Sequence, residues 1–217
     1  TDFETVEPWG EAVDGSDLLD TLVHTVERFC VLPAHAAPLV AAWVVHAWSH
    51  DTSDISPVLA FTSPEKRCGK STAMAVVHAL APKAEIAANI TAAVMFRLIE
   101  KHKPTLLIDE ADTFLEERVE MRGMINGGHN RQLAFVWRCE GDDHEPKKFN
   151  VWGPKAVAMI GNLPDTLEDR ALVVQLKRKD GGEVVERMKA SRVNELLPIR
   201  RMLARWVADN EIRLANA

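Results

Sequence analysis

Apolar positions recur along the chain first at helical and then at strand spacing. Ser16 is placed as an N-cap, and Leu18, Leu19, Leu22, Val23, Val26 and Phe29 follow with the period of a helix. Pro33 starts a second helix through about Ser49, with Leu39, Val40, Trp43, Val44 and Trp48 on its apolar face. After the polar stretch Asp51 to Ser56 the pattern changes. Short apolar runs appear at Val58–Phe61, Thr105–Ile108 and Ala156–Ile160, with further strand-like stretches at Glu85–Ile90 and Ala171–Leu176. Runs of this kind suit strands of a parallel sheet buried on both faces. Helical patterns lie between them, at Ala73–Leu80, from a Thr91 cap to about Lys101, and at Phe114–Asn126. Alternating strands and helices predict an α/β fold with a central parallel sheet flanked by helices.

Two further segments complete the pattern. Leu133–Arg138 and Phe149–Trp152 read as the strands of a hairpin, with Gly141–Lys148 as its turn. Glu183–Ala217 reads as helical, interrupted at Pro198, with Met202, Leu203, Trp206 and Val207 as its stripe. The expected organisation is a lead-in at 1–15, a helical segment at 16–52, a core at 53–180 and a C-terminal helical segment at 181–217. The first residue is Thr1, which suggests a piece of a longer chain.

Composition narrows the classes. A chain of 217 residues with 47% hydrophobic content can bury a full core. The net charge of −6 argues against a protein that coats nucleic acid, so any such contact must come from a local basic feature. Cys30, Cys68 and Cys139 have neither disulfide nor zinc spacing, which fits a reducing cytosol. The apolar run Ala36–Val45 is too short for a membrane span. His24, His46 and His50 are read as core or surface residues rather than as metal ligands.

The candidate chemistry begins after the first strand. Phe61-Thr62-Ser63-Pro64-Glu65-Lys66-Arg67-Cys68-Gly69-Lys70-Ser71-Thr72 is laid out as strand, loop, Gly-Lys-Ser, helix. Backbone N–H groups from Glu65 to Thr72 and the helix dipole would attract phosphate. Gly69 permits close approach, Lys70 would reach the β- and γ-phosphates, and Ser71 would ligate Mg²⁺. The full pattern asks for glycine where Pro64 stands, so an ordinary strand-to-helix turn is the alternative.

The apolar strand ending in Asp109-Glu110 decides for the phosphate reading. Ligands of parallel sheets bind at the carboxyl ends of the strands. Asp109 would hold Mg²⁺ there, and Glu110 would polarise an attacking water. Asn162, at the end of a later strand, could position that water or touch the γ-phosphate. Arg170 is a candidate arginine finger acting across a subunit interface, with an intramolecular salt bridge as its bland alternative. The hairpin carries His144, Lys147 and Lys148, which read either as a solvated turn or as a basic tip.

In this order the elements resemble the AAA+ ATPases. Ser63–Ser71, Gly153–Gly161 and Leu163–Arg170 resemble more closely a group known as domain of unknown function 3631, found in phage and mobile-element proteins. That group also lacks the first loop glycine. The resemblance implies a sheet in the order 5-1-4-3-2 and an inserted hairpin before the sensor strand; the two N-terminal helices read as a helical cap, and the C-terminal segment, a partial lid, departs from the longer lid usual in the group. The resemblance implies ATP and Mg²⁺ at the interfaces of a hexamer-like ring. It also implies that the hairpin over residues 134–152 carries His144, Lys147 and Lys148 to single-stranded DNA.

The expected function is an ATP-driven helicase or translocase. The alternatives are a nucleotide-dependent switch without unwinding, favoured slightly by the acidic pI of about 5.8, and a small-molecule kinase. The Asp109-Glu110 pair followed by Asn162 argues against the kinase.

Overall fold

The structure is a computed structural model of the chain and describes residues 3, 5–88, 90–111, 119–140 and 145–216. His144, a predicted site residue, lies outside the described residues, as do residues 114–118 of the predicted helix over 114–126.

Two helices come first, α1 (Gly15–Phe29) and α2 (Ala36–Trp48). The cap of α1 is Asp14, not Ser16: its carboxylate accepts from the N–H groups of Ser16 and Asp17 at 2.8 and 3.0 Å. A carboxylate facing the first turn also complements the helix dipole. α2 starts at Ala36 rather than Pro33, because His35 just before it is in the left-handed conformation.

The core strands are β1 (Val58–Ser63), β2 (Ala84–Ala87) and β3 (Thr105–Ile108), separated by α3 (Lys70–Leu80) and α4 (Ala92–His102). The Thr91 hydroxyl caps α4 as predicted, accepting from the Val94 N–H at 3.4 Å. α5 (Val119–Gly127) leads to the hairpin of β4 (Phe135–Glu140) and β5 (Glu145–Asn150). β6 (Lys155–Ile160), the short α6 (Asp165–Glu168) and β7 (Ala171–Gln175) follow, and α7 (Leu197–Ala215) closes the chain.

Five strands form one parallel sheet in the order β2-β3-β6-β1-β7. In whole-chain numbering this differs from the expected 5-1-4-3-2, because β4 and β5 pair only with each other outside the sheet. Counted over the sheet strands alone, the order runs 2-3-4-1-5.

Strand alternation splits the core in two. Leu59, Phe61, Leu107, Ala156, Ala158 and Val174 face α1, α2, α3 and α7. Val58, Ala60, Leu106, Ile108, Val157 and Met159 face α4, α5 and the hairpin. Both faces are apolar, which is why the three central strands β3, β6 and β1 read as apolar runs. The N-terminal helices thus share one core cluster with α3.

Three predicted elements are redrawn. β5 begins at Glu145, so Lys147 and Lys148 stand in a strand and not in a turn. This strand is polar and exposed at most positions, and it is held by pairing with β4 rather than by an apolar pattern. The segment after β7 is not helical until a 3₁₀ turn at Ala190–Leu196. Pro198 does not interrupt α7; it stands in its first turn, where a missing N–H costs nothing. Among the described residues no helix is long and apolar enough to cross a membrane.

Candidate functional site

β1 ends at Ser63, and the chain turns through an exposed loop before α3 starts at Lys70. Two residues in the loop have left-handed backbones, Arg67 at φ +66° and Gly69 at φ +88°. A Cβ on Gly69 would find open space, so glycine is required there by backbone conformation and not by crowding. Among the described residues no side chain caps α3, so its first N–H groups are of the kind that can receive an anionic ligand.

The loop is braced from within. The Ser63 hydroxyl is buried and donates to the Glu65 carbonyl at 2.7 Å. The Lys70 ammonium donates to the Ser63 Oγ at 2.5 Å and lies 3.5 Å from the Glu65 carbonyl. It is folded back over the loop that it would share with phosphate.

The parallel register brings the acidic residues to the same end of the sheet. β3 pairs with β6 and β6 with β1, so Asp109, Gly161 and the loop all follow the carboxyl ends of neighbouring strands. Asp109 is half-buried, and its Oδ1 accepts from the Glu110 N–H at 3.0 Å. Glu110 has φ +55°, and the next N–H, that of Ala111, donates to Ala158 O at 2.9 Å. The ladder to β6 therefore continues past the end of β3 with one extra residue at Glu110. A left-handed backbone at a non-glycine residue costs about 1–2 kcal/mol, and such strain gathers at functional sites.

Lys66, Arg67, Lys70, Ser71, Asp109, Glu110 and Ile160 line one cleft of about 380 Å³. Three cations and two carboxylates thus face one volume. The hydroxyl of Ser71 and the carboxylate of Asp109 are hard oxygen donors of the kind Mg²⁺ prefers. Among the described residues no three His, Cys, Asp or Glu side chains cluster as a metal cage. A cation here would take its remaining ligands from phosphate and water.

A second cavity of about 160 Å³ abuts the same loop and was not foreseen from the sequence. Phe29, Leu32, Cys68, Thr72, Leu176 and Val185 contribute to it. Arg67 lines both cavities. Its far wall is tied down by an ion cluster. Arg28 donates to the two Glu186 carboxylate oxygens at 2.8 and 3.0 Å, Arg192 bonds the same group, and the Glu186 N–H donates to Arg28 O at 2.9 Å. The Arg28 and Arg192 hydrogen bonds hold the Glu186 carboxyl down at about 2. Burial pushes the neighbouring Cys30 thiol up to about 12, so it is an inert apolar wall group.

The remaining candidates stand apart from the cleft. Asn162 is exposed at the carboxyl end of β6, beyond Gly161, whose N–H donates to Ser63 O at 2.9 Å. It is on the right edge of the sheet, but Ile160 lines the cleft in its place. Arg170 is at the opposite edge: its carbonyl accepts from the Val58 N–H at the start of β1, and its guanidinium bonds the Thr166 carbonyl. The length of β1 separates it from the loop, about 17–20 Å at the usual strand rise. Lys147 and Lys148 are neighbours in β5 and so point to opposite faces of the hairpin.

No family model matches the chain, including the one expected from the resemblance, and no curated protein matches it. Its fold is similar to solved structures of the NrS-1 C-terminal region in its apo A form. One gives a TM-score of 0.52 at 14% identity, covering 94% of this chain and 47% of that one. Another, of residues 305–718 of that protein, gives 0.49 at 12% identity with the same coverage. The chain therefore spans about half the length of the region that it matches, and the likeness to the structure with TM-score 0.52 is one of fold.

Proposed function

We propose that the chain binds ATP with Mg²⁺ in the cleft between the 64–72 loop and Asp109-Glu110 and hydrolyses it. One observation carries this reading: Lys70, Ser71, Asp109 and Glu110, brought together from the loop helix and the end of β3, line a single cleft. The loop N–H groups and Lys70 hold the phosphates. Ser71 and Asp109 hold the cation, whose chemistry is to neutralise charge on the transferred phosphoryl group. Glu110 accepts the proton of the attacking water. The apolar cavity at Phe29, Leu32 and Val185 takes the base.

The reading extends to an AAA+-like motor. Arg170 stands too far from its own cleft to reach the γ-phosphate, which supports a role in the cleft of a second copy and a ring-like homo-oligomer. By its resemblance to mobile-element ATPases, the motor acts on single-stranded DNA through the β4–β5 hairpin, in replication or processing. A nucleotide-dependent switch without unwinding is the second reading, favoured by the net charge of −6. Phosphate release from ATP by the full chain, with and without single-stranded DNA, tests both. Hydrolysis stimulated by DNA supports the motor, hydrolysis indifferent to DNA supports the switch, and absence of ATP binding overturns the site.

A further inference from the structure

The hairpin has two chemically different faces. Register places Val136 opposite Phe149 and Arg138 opposite Lys147, on one face; Phe135 opposite Asn150, and Trp137 opposite Lys148, lie on the other. The first face is packed. Phe149 is buried and its ring is 4.5 Å from that of Phe96 on α4. Arg138 stacks over Phe96 at 5.6 Å and pairs with Glu120 at 2.7 Å.

The other face is open. Trp137 is 57% exposed, although indole is a large apolar group that normally finds cover. Directly across from it, the Lys148 ammonium sits 3.4 Å from the Phe135 ring centroid. The described positions of this face, Phe135, Trp137, Cys139, Pro146, Lys148 and Asn150, include no carboxylate, whereas Glu145 falls in register with the packed face.

We propose that Trp137 is a base-stacking platform for single-stranded DNA, with Lys148 releasing Phe135 to take the adjacent phosphate. An exposed aromatic beside a lysine, on a face whose described positions carry no carboxylate, fits that occupant. The overall negative charge makes such a local feature the place where a polyanion can approach. The proposal rests on the reading of the hairpin as a DNA element. It moves the contact from the predicted basic tip to one face of the strand pair, and it uses no residue of the nucleotide cleft.

The test is fluorescence anisotropy of a labelled oligothymidine titrated with the full chain, at low and at physiological salt. A fluorescent ATP analogue is titrated in parallel. Trp137→Ala is expected to weaken oligothymidine about tenfold or more, while Trp137→Phe keeps most of the affinity. Lys148→Ala is expected to weaken binding and to flatten its salt dependence. Equal binding by wild type and Trp137→Ala overturns the proposal. So does failure of wild type to bind oligothymidine while it binds the ATP analogue, a result that leaves the nucleotide cleft standing. Failure to bind the analogue sinks the cleft instead. A change of oligomeric state in Trp137→Ala at unchanged oligothymidine affinity assigns the face to a second copy, and tighter binding of oligouridine than of oligothymidine assigns it to RNA; each overturns the assignment made here.

Discussion

The Lys70 ammonium donates to the Ser63 hydroxyl at 2.5 Å, joining the last residue of β1 to the first of α3 across the 64–69 loop. This contact holds the cation where a phosphate would need it, and a bound phosphate would replace Ser63 as its partner. Lys70→Ala is expected to weaken ATP more than tenfold, since a hydrogen bond to a charged group contributes about 1.5–3 kcal/mol. Ser63→Ala removes the brace to Glu65 but leaves the charge, so a smaller loss is expected. Titration with a fluorescent ATP analogue checks both, and equal losses would show that the brace matters as much as the charge.

Glu110 has a left-handed backbone and lines the cleft without belonging to the loop. In the proposed reaction Glu110 would act on water and not on nucleotide binding. Glu110→Gln should therefore keep ATP affinity and lower turnover about 10²–10⁴-fold, the usual contribution of general-base catalysis. Single-turnover phosphate release measures the loss. A variant with near-native turnover would remove Glu110 from the mechanism.

Much of this site is legible in the sequence because it depends on strand ends. A parallel strand buried on both faces announces itself as an apolar run, and the residues just after each run lie at one edge of the sheet. Lys70, Ser71, Asp109 and Glu110 could be placed together on that basis. The cavity at Phe29, Leu32, Leu176 and Val185 could not, because its walls come from helix and loop segments far apart in the chain with no shared motif. β5 was hidden for a different reason. Glu145-Pro146-Lys147-Lys148 has the composition of a turn, and only its pairing with β4 makes it a strand. Asp14 displaced Ser16 as the α1 cap because either side chain can serve and the backbone chose the earlier one.

Lys155 predicts a stability effect at the far edge of the sheet. It is fully buried at the start of β6 and donates to the Val151 and Gly153 carbonyls at 2.7 and 2.9 Å. Burial lowers its pKa from 10.5 to about 7. Between these two values the unfolded chain binds a proton that the folded chain does not, so stability rises with pH across that window. Below about 7 the charge is buried in full and its cost is fully present. Thermal melts of wild type and Lys155→Met should diverge in favour of wild type as pH rises through the window. Parallel curves would mean that the ammonium is not desolvated as its burial implies.

Arg170 gives the sharpest test of assembly. It lies at the amino edge of the sheet and the cleft at the carboxyl edge, so no side-chain rotation brings it to its own cleft. If it acts on a neighbour's γ-phosphate, turnover per subunit must rise with protein concentration. Arg170→Ala should then lower turnover by about 10³-fold or more, the low end of what an arginine finger supplies, while leaving ATP affinity nearly intact. Mixing separates this from a folding defect. An Arg170→Ala subunit keeps a sound cleft, and a Glu110→Gln subunit keeps a sound arginine. At an interface that joins the first one's cleft to the second one's arginine, a complete site is restored. Mixed samples should hydrolyse ATP faster than either variant alone. If the mixture is no faster than the sum of its parts, Arg170 serves only the Thr166 carbonyl that it already holds.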